Sequence, residues 1–251
     1  MKKTTISAIA AAMASCALAL PPNFTDDLDA AIADAAKNGK LVFACFSGSD
    51  WCPWCQKLDE EVFSKPEFAA ATNDFNLVYI DLPKKDIPNK ERNKGYVDKY
   101  KVRGFPSVLI LGPDGKKLDE TGYQRGGVES YLKHLGELKT GALKIAAVKK
   151  EIAALKAKLS KDGESEADQK IHAQIADLKE KLSDMKELKE IDKTIGFCNQ
   201  ALKKVAADIE KFEGDEESAE KLEKAKKFKE QLEKMLENST AKKAKIEGKA
   251  N

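Results

Sequence analysis

The chain has 251 residues, enough for one ordinary domain and a second region. Its formal charge is +2, and Lys2 and Lys3 lie in a segment expected to be removed, which leaves a neutral remainder. That balance lacks the basic excess by which proteins grip nucleic acid or anionic lipid, so neither is expected as a partner.

Residues 1–19 read as a secretory signal peptide. Lys2 and Lys3 form a basic start, Ile6 to Ala14 an apolar stretch, and Ala17-Leu18-Ala19 a small-x-small cleavage site. The apolar run falls short of the roughly 18 residues a spanning helix needs. A periplasmic or otherwise exported protein is expected. The alternative is a lipoprotein anchored at Cys16, because Met13-Ala14-Ser15-Cys16 loosely resembles a lipobox.

From residue 20 to 140 helical and strand patterns alternate. Thr25 is expected to cap a helix carrying Leu28, Ile32 and Ala35, ended at Asn38-Gly39. Leu41 to Phe46 reads as a buried strand, Pro53 to Phe63 as a helix, and Leu77 to Leu82 as a second buried strand. Asn89 to Tyr100 follows as a helix. Ser107 to Leu111 is a third strand, turned through Gly112-Pro113-Asp114-Gly115 into a fourth near Lys117 to Tyr123, and Val128 to Leu138 closes with a helix. This order implies an α/β domain, a mixed sheet flanked by helices.

All prolines, tryptophans, tyrosines and arginines lie before residue 140. Residues 141–251 are Lys, Glu, Asp, Ala and Leu/Ile, a compositional shift that marks a domain boundary. Here apolar residues recur at a period near 3.5, as in Ile145, Val148, Ile152, Leu155 and Leu159. Breaks at Asp162-Gly163 and Glu213-Gly214-Asp215 predict helices at about 143–160, 166–212 and 217–238. The long middle helix would receive its neighbours on its two halves, an all-α antiparallel coiled coil or helical hairpin. A coiled coil between chains is the competing arrangement.

Trp51-Cys52-Pro53-Trp54-Cys55 sits where a buried strand gives way to a helix. A cysteine at a helix start faces unpaired N–H groups and the positive end of the helix dipole, which favour thiolate. Spacing of three puts Cys55 one turn on, close enough for a disulfide. Two other readings stay open for the pair, a structural disulfide and half of a zinc site, though no second CxxC is present and His134 and His172 are distant in sequence. Cys45 and Cys198 fall within apolar patterns and read as core residues; Cys198 has the alternative of a disulfide across a dimer.

Two stretches, LVFACFSGSDWCPWCQ at Leu41 to Gln56 and VRGFPS at Val102 to Ser107, resemble the thioredoxin superfamily, as does the element order over 24–139. Phe63-Ser64-Lys65-Pro66-Glu67-Phe68 looks like the subgroup containing the C-terminal domain of the transmembrane disulfide reductase. The resemblance implies that Cys52 is an exposed nucleophile, Cys55 the resolving thiol and Pro106 a cis-proline beside them. The backbone at Phe105 would pair with an extended substrate segment, and Trp51 and Trp54 would form an apolar platform for it. No cofactor is implied. One departure matters: the family's buried Asp, six residues before the nucleophile, is replaced by Phe46, or by Cys45 if the loop holds an extra residue. Proton handling must then use water or another group, and Asp50 is a weak candidate.

The expected function is protein thiol–disulfide exchange on exported protein thiols or disulfides, with an upstream redox partner as a further candidate. Alternatives are an isomerase or partner-specific reductant dimerised through the arm, or an interaction scaffold with an accessory redox domain.

Overall fold

The computed structural model describes residues 20–160, 165–213 and 218–249. The expected signal peptide, Cys16 and the expected helix breaks at Asp162-Gly163 and Gly214-Asp215 lie outside the described residues. The contacts divide the chain into two compact units at Ala146/Ala147.

In the first unit, α1 (Leu28–Asn38) leads into β1 (Leu41–Ser47), α2 (Pro53–Leu58) with a π-helical continuation (Asp59–Phe63), α3 (Pro66–Ala71), β2 (Phe75–Asp81), α4 (Lys90–Tyr100), β3 (Ser107–Leu111), β4 (Lys117–Thr121) and the front half of α5 (Gly127–Lys156), whose last turns belong to the second unit. The sheet runs in the order β2-β1-β3-β4. β1 is parallel to β2 and antiparallel to β3, and β3 is antiparallel to β4. Every residue of β1 and β3 is buried, as strands covered on both faces require.

Strand alternation sorts the core into two layers. Phe43, Cys45, Tyr79, Val108 and Ile110 point toward Leu58, Phe63, Phe68 and Tyr131. Val42, Ala44, Phe46, Ile80 and Leu109 point the other way, toward α1 and Tyr96 of α4. Each fully buried large side chain contributes on the order of 1.5–3 kcal/mol. The first layer is rich in rings, with Phe43 edge-on to Phe63 at 5.8 Å and to Phe68 at 5.8 Å.

Several expectations need amendment. Asp27, not Thr25, caps α1, its carboxylate accepting from Ala30 N–H at 2.9 Å. Thr25 is instead bridged to β2: its N–H donates to the Leu77 carbonyl and its carbonyl accepts from Tyr79 N–H. The short helix α3 follows Lys65 with proline at its first position, where the missing N–H is harmless. The helix expected to end at Leu138 runs on to Lys156. Gly136 and Gly141 weaken a helix by only about 1 kcal/mol each, and no proline interrupts it.

In the second unit, α6 (Glu166–Phe212) and α7 (Ala219–Lys249) pack together. Lys221 lies over the Phe212 ring, Lys243 pairs with Asp192 at 2.7 Å, and Lys242 pairs with Glu187 at 2.6 Å. Early α7 therefore meets late α6, an antiparallel arrangement. Cys198, Val205 and Leu232 form the buried centre of this pair. Val148 and Ile152, at the end of α5, cluster with Ile175 and Leu178 of α6. The seam is thus covered within one chain. α7 continues past the expected end at 238 because Ile246 is buried and charged pairs tie it to α6; those residues carry almost no apolar periodicity. α6 starts with a capping box in which Ser165 accepts from Asp168 N–H and Asp168 accepts from Ser165 N–H.

Candidate active site

β1 ends at Ser47, and Gly48 to Trp51 turn the chain into α2. Cys52 is the N-cap of that helix and Pro53 occupies its first turn. The cap geometry points Cys52 Sγ at the first free N–H groups, and Sγ accepts from Cys55 N–H at 3.2 Å. Cys52 and Cys55 form a disulfide across a Cα–Cα distance of 5.2 Å. Among the described residues no group of three or more metal-ligating side chains gathers.

The Cys52 expected to be exposed keeps only 4% of its surface, against 1% for Cys55. Bonded as the cap, its sulfur lies against the helix it caps, beside Trp51. A displacement at sulfur needs one open approach to Sγ, and of the two residues, both buried, Cys52 retains the greater exposure.

The Phe105–Pro106 peptide bond is cis, and Phe105 packs edge-on against Trp51 with ring centroids 5.5 Å apart. Trp51 is held twice. Its Nε1–H donates to the Leu82 carbonyl at 2.8 Å, and its ring lies over Gly48, where a Cβ would stand 2.3 Å from the indole. Trp54 is freer, 48% exposed, and leans on Tyr123 at 5.2 Å with Lys57 Nζ 5.7 Å from its ring. Tyr123 is fixed in turn by donating to Glu61 at 2.7 Å. The two tryptophans therefore differ in restraint, and both present surface: Trp51 is 37% exposed although held at its Nε1–H.

Gly122 and Tyr123 were not singled out from sequence. A Cβ at Gly122 would stand 2.8 Å from the Pro106 carbonyl oxygen, so only glycine lets β4 approach the proline loop so closely. The sequence signal is slight, a glycine at the end of an expected strand.

Asp50, the weak candidate for proton handling, is committed elsewhere. Its carboxylate accepts from Lys84 N–H at 2.9 Å, which lowers its pKa and keeps it ionised. Asp59 was missed. It lies one helical turn after Cys55, on the face carrying Leu58 and Val62, and accepts from the Tyr79 hydroxyl at 2.7 Å. Burial pushes its pKa up to about 6 against the lowering effect of the Tyr79 bond. Tyr79 also bonds Ser47 Oγ at 2.7 Å. A cavity of about 210 Å³ reaches this group, lined by Pro21, Pro22, Ser49, Asp59, Tyr79 and Asp81. An acidic residue within an apolar helical stripe was the available signal.

Cys45 is buried, and burial raises its thiol pKa well above the ordinary value, with Asp59 and Asp81 adding to the effect. Cys198 is fully buried inside the second unit, which excludes it from a disulfide across a dimer in this conformation.

Residues 28–136 match the family model described as a thioredoxin-like domain. Disulfide bond reductase DsbH of Chlamydia pneumoniae is 33% identical over 106 residues, covering 41% of this chain and 64% of that protein. Thiol:disulfide interchange protein DsbD 2 of Pseudomonas aeruginosa is 30% identical over 91 residues, 36% of this chain and only 15% of that protein. A solved structure titled DsbH oxidoreductase aligns at 28% identity and a TM-score of 0.43, over 47% of this chain and 85% of that one. The matched part spans less than two thirds of either named relative. Residues 28–136 of this chain are a thioredoxin-like domain, carrying the Cys52–Cys55 disulfide at the start of its second helix.

Proposed function

We propose that the chain is a protein thiol–disulfide oxidoreductase working through Cys52 and Cys55. The observation that carries this reading is a disulfide capping a helix, with the neighbouring Trp51 packed on Phe105 of the Phe105–Pro106 loop, in a domain whose relatives are named disulfide reductase and interchange proteins. In the reduced state, the free N–H groups of α2 and the helix dipole favour the Cys52 thiolate.

The thiolate attacks one sulfur of a substrate disulfide. A Cys52–substrate bond forms, the substrate S–S bond breaks, and one substrate thiolate leaves. Cys55 then gives up its proton and attacks Cys52 Sγ. The second substrate thiolate departs, two electrons have passed to the substrate, and the enzyme is left as the disulfide. The reverse sequence oxidises a substrate dithiol.

Asp59 is the group proposed to take the Cys55 proton. Its pKa of about 6 lets it exchange protons near neutrality, and the cavity beside it provides a route to solvent. Phe105 offers its backbone to an extended substrate segment, Pro106 flanks the disulfide, and Trp54 with Tyr123 supports the substrate's apolar side chains; Trp51 holds the proline loop in place. The substrates are proposed to be exported protein thiols and disulfides, on the strength of the basic and apolar leader at residues 1–19.

Reduction of insulin by dithiothreitol, followed by turbidity, tests the reading. Catalysis by the wild type and none by Cys52→Ala supports it; equal rates for the two refute it. Trapping of a mixed disulfide by Cys55→Ala identifies the substrates. Capture of a single partner with no insulin activity favours the dedicated-reductant alternative.

A further inference from the structure

The second unit carries an apolar stripe that its own helices leave uncovered. Phe197 of α6 is 58% exposed, and Phe228 and Met235 of α7 are 45% and 39% exposed. They belong to one side of the helix pair. A groove of about 350 Å³ is lined by Ala201, Lys204, Asp208 and Phe228, and another of about 330 Å³ by Glu190, Thr194 and Met235. Glu190, Thr194, Phe197, Ala201, Lys204 and Asp208 recur at three- and four-residue steps, which places them on one strip of α6. This strip lies beside the seam that Cys198, Val205 and Leu232 fill. It faces solvent.

We propose that the strip is the contact between two copies of this chain, packed antiparallel about a two-fold axis at Phe197. The charges on the strip specify the occupant. Glu190 precedes Phe197 by about two helical turns, and Lys204 follows it by about two. Lys186 and Asp208 stand about three turns before and after. A two-fold axis through Phe197 sets Glu190 of each copy against Lys204 of the other, and Lys186 of each against Asp208 of the other. Both of these pairings are between opposite charges, and each occurs twice. A parallel pair would stack like on like.

The axis brings the two Phe197 rings together. The grooves on either side have room for apolar side chains of the second copy. Within its own helix Glu190 meets Lys193 in an exposed contact at 3.0 Å, which is cheap to release. A net charge of +2 sets no long-range repulsion between copies. The contact does not depend on the redox chemistry and stands or falls without it.

Sedimentation equilibrium of the full chain over roughly 1–200 μM tests the contact. The wild type is expected to show a concentration-dependent dimer. Phe197→Lys, at an exposed site that should not disturb folding, is expected to weaken it at least about tenfold. Lys204→Glu sets a second carboxylate against Glu190 at both symmetry-related positions and is expected to weaken it by about tenfold. The double variant Glu190→Lys/Lys204→Glu restores the opposite pairing and is expected to return to within about threefold of wild type. Circular dichroism should give the same helix content for all four proteins. A wild type that stays monomeric overturns the proposal. So does a dimer indifferent to Phe197→Lys, or a double variant no tighter than Lys204→Glu alone.

Discussion

The two units are stabilised in different ways. The sheet unit buries both faces of β1 and β3 and concentrates rings around Phe43, Phe63 and Phe68. The helical unit has a narrow seam in which Cys198, Val205 and Leu232 form one buried cluster and Val148, Ile152, Ile175 and Leu178 another, edged by exposed ion pairs such as Lys243–Asp192. A two-sided core holds side chains to sub-ångström tolerance because nothing in it can move alone. A one-sided seam allows length and surface but little chemistry. The disulfide, the proline loop and Asp59 all sit on the sheet unit, where positions are over-determined.

The sharpest way to break this comparison is to remove one sulfur from each unit. Cys52→Ala should lower insulin reduction by at least about 10³-fold, while Cys198→Ala should leave the rate within about twofold and lower only the melting temperature of the helical unit. Loss of activity from both would show that the helical unit takes part in the chemistry. Next in size are core truncations. Phe43→Ala should destabilise the sheet unit by about 3–5 kcal/mol and Leu232→Ala the helical unit by about 2–4 kcal/mol, read from separate denaturation transitions. A single shared transition would show that the two units unfold together.

Asp59→Asn separates the proton group from the rest of the core. The folded pKa of about 6 lies above the ordinary carboxylate value, so the folded protein binds the proton more tightly than the unfolded chain. Stability contributed by the protonated carboxyl is full below about pH 4 and is lost as pH rises through 6. The substitution should therefore leave stability near pH 4 almost unchanged and raise it at pH 7.5, by about 1–2 kcal/mol once solvent screening of this part-exposed carboxyl is allowed for. The resolving step should slow at the same time, seen as longer-lived mixed disulfide. A variant equally stable at both pH values would count against a half-buried Asp59 with a raised pKa. The smallest effect is expected at the helical surface, where Lys243→Ala should cost under about 1 kcal/mol and less in high salt.

Much of the sheet unit was legible because strand burial and turn chemistry are written locally. Leu41 to Phe46 is a continuous apolar run, and Gly39 supplies the left-handed cap at φ 74° that ends α1. The cysteine pair and proline loop were legible as a motif. What escaped were relations across the fold. Nothing near Asp59 in sequence reveals that Tyr79 will donate to it, and nothing near Gly122 reveals the Pro106 carbonyl. Thr25 looked like a cap because the rule is local, yet pairing with β2 took its backbone. The rear of α7 escaped for the opposite reason: its buried apolar anchor is Ile246 alone, and its remaining ties to α6 are charged pairs with no periodic signal.

Tyr79 has a single hydroxyl hydrogen, and both Ser47 Oγ and Asp59 Oδ2 lie 2.7 Å from its oxygen. It donates to one of them at a time. With Asp59 ionised, the hydrogen points to the carboxylate and Ser47 donates into Tyr79. With Asp59 protonated, the carboxyl donates to Tyr79 and the tyrosine hydrogen swings to Ser47. Under the role proposed for Asp59, the three oxygens would form a wire whose polarity reverses as Asp59 gains and loses its proton, so a proton arriving at one end would be registered at the other by rotation of hydroxyls alone, without displacing a heavy atom.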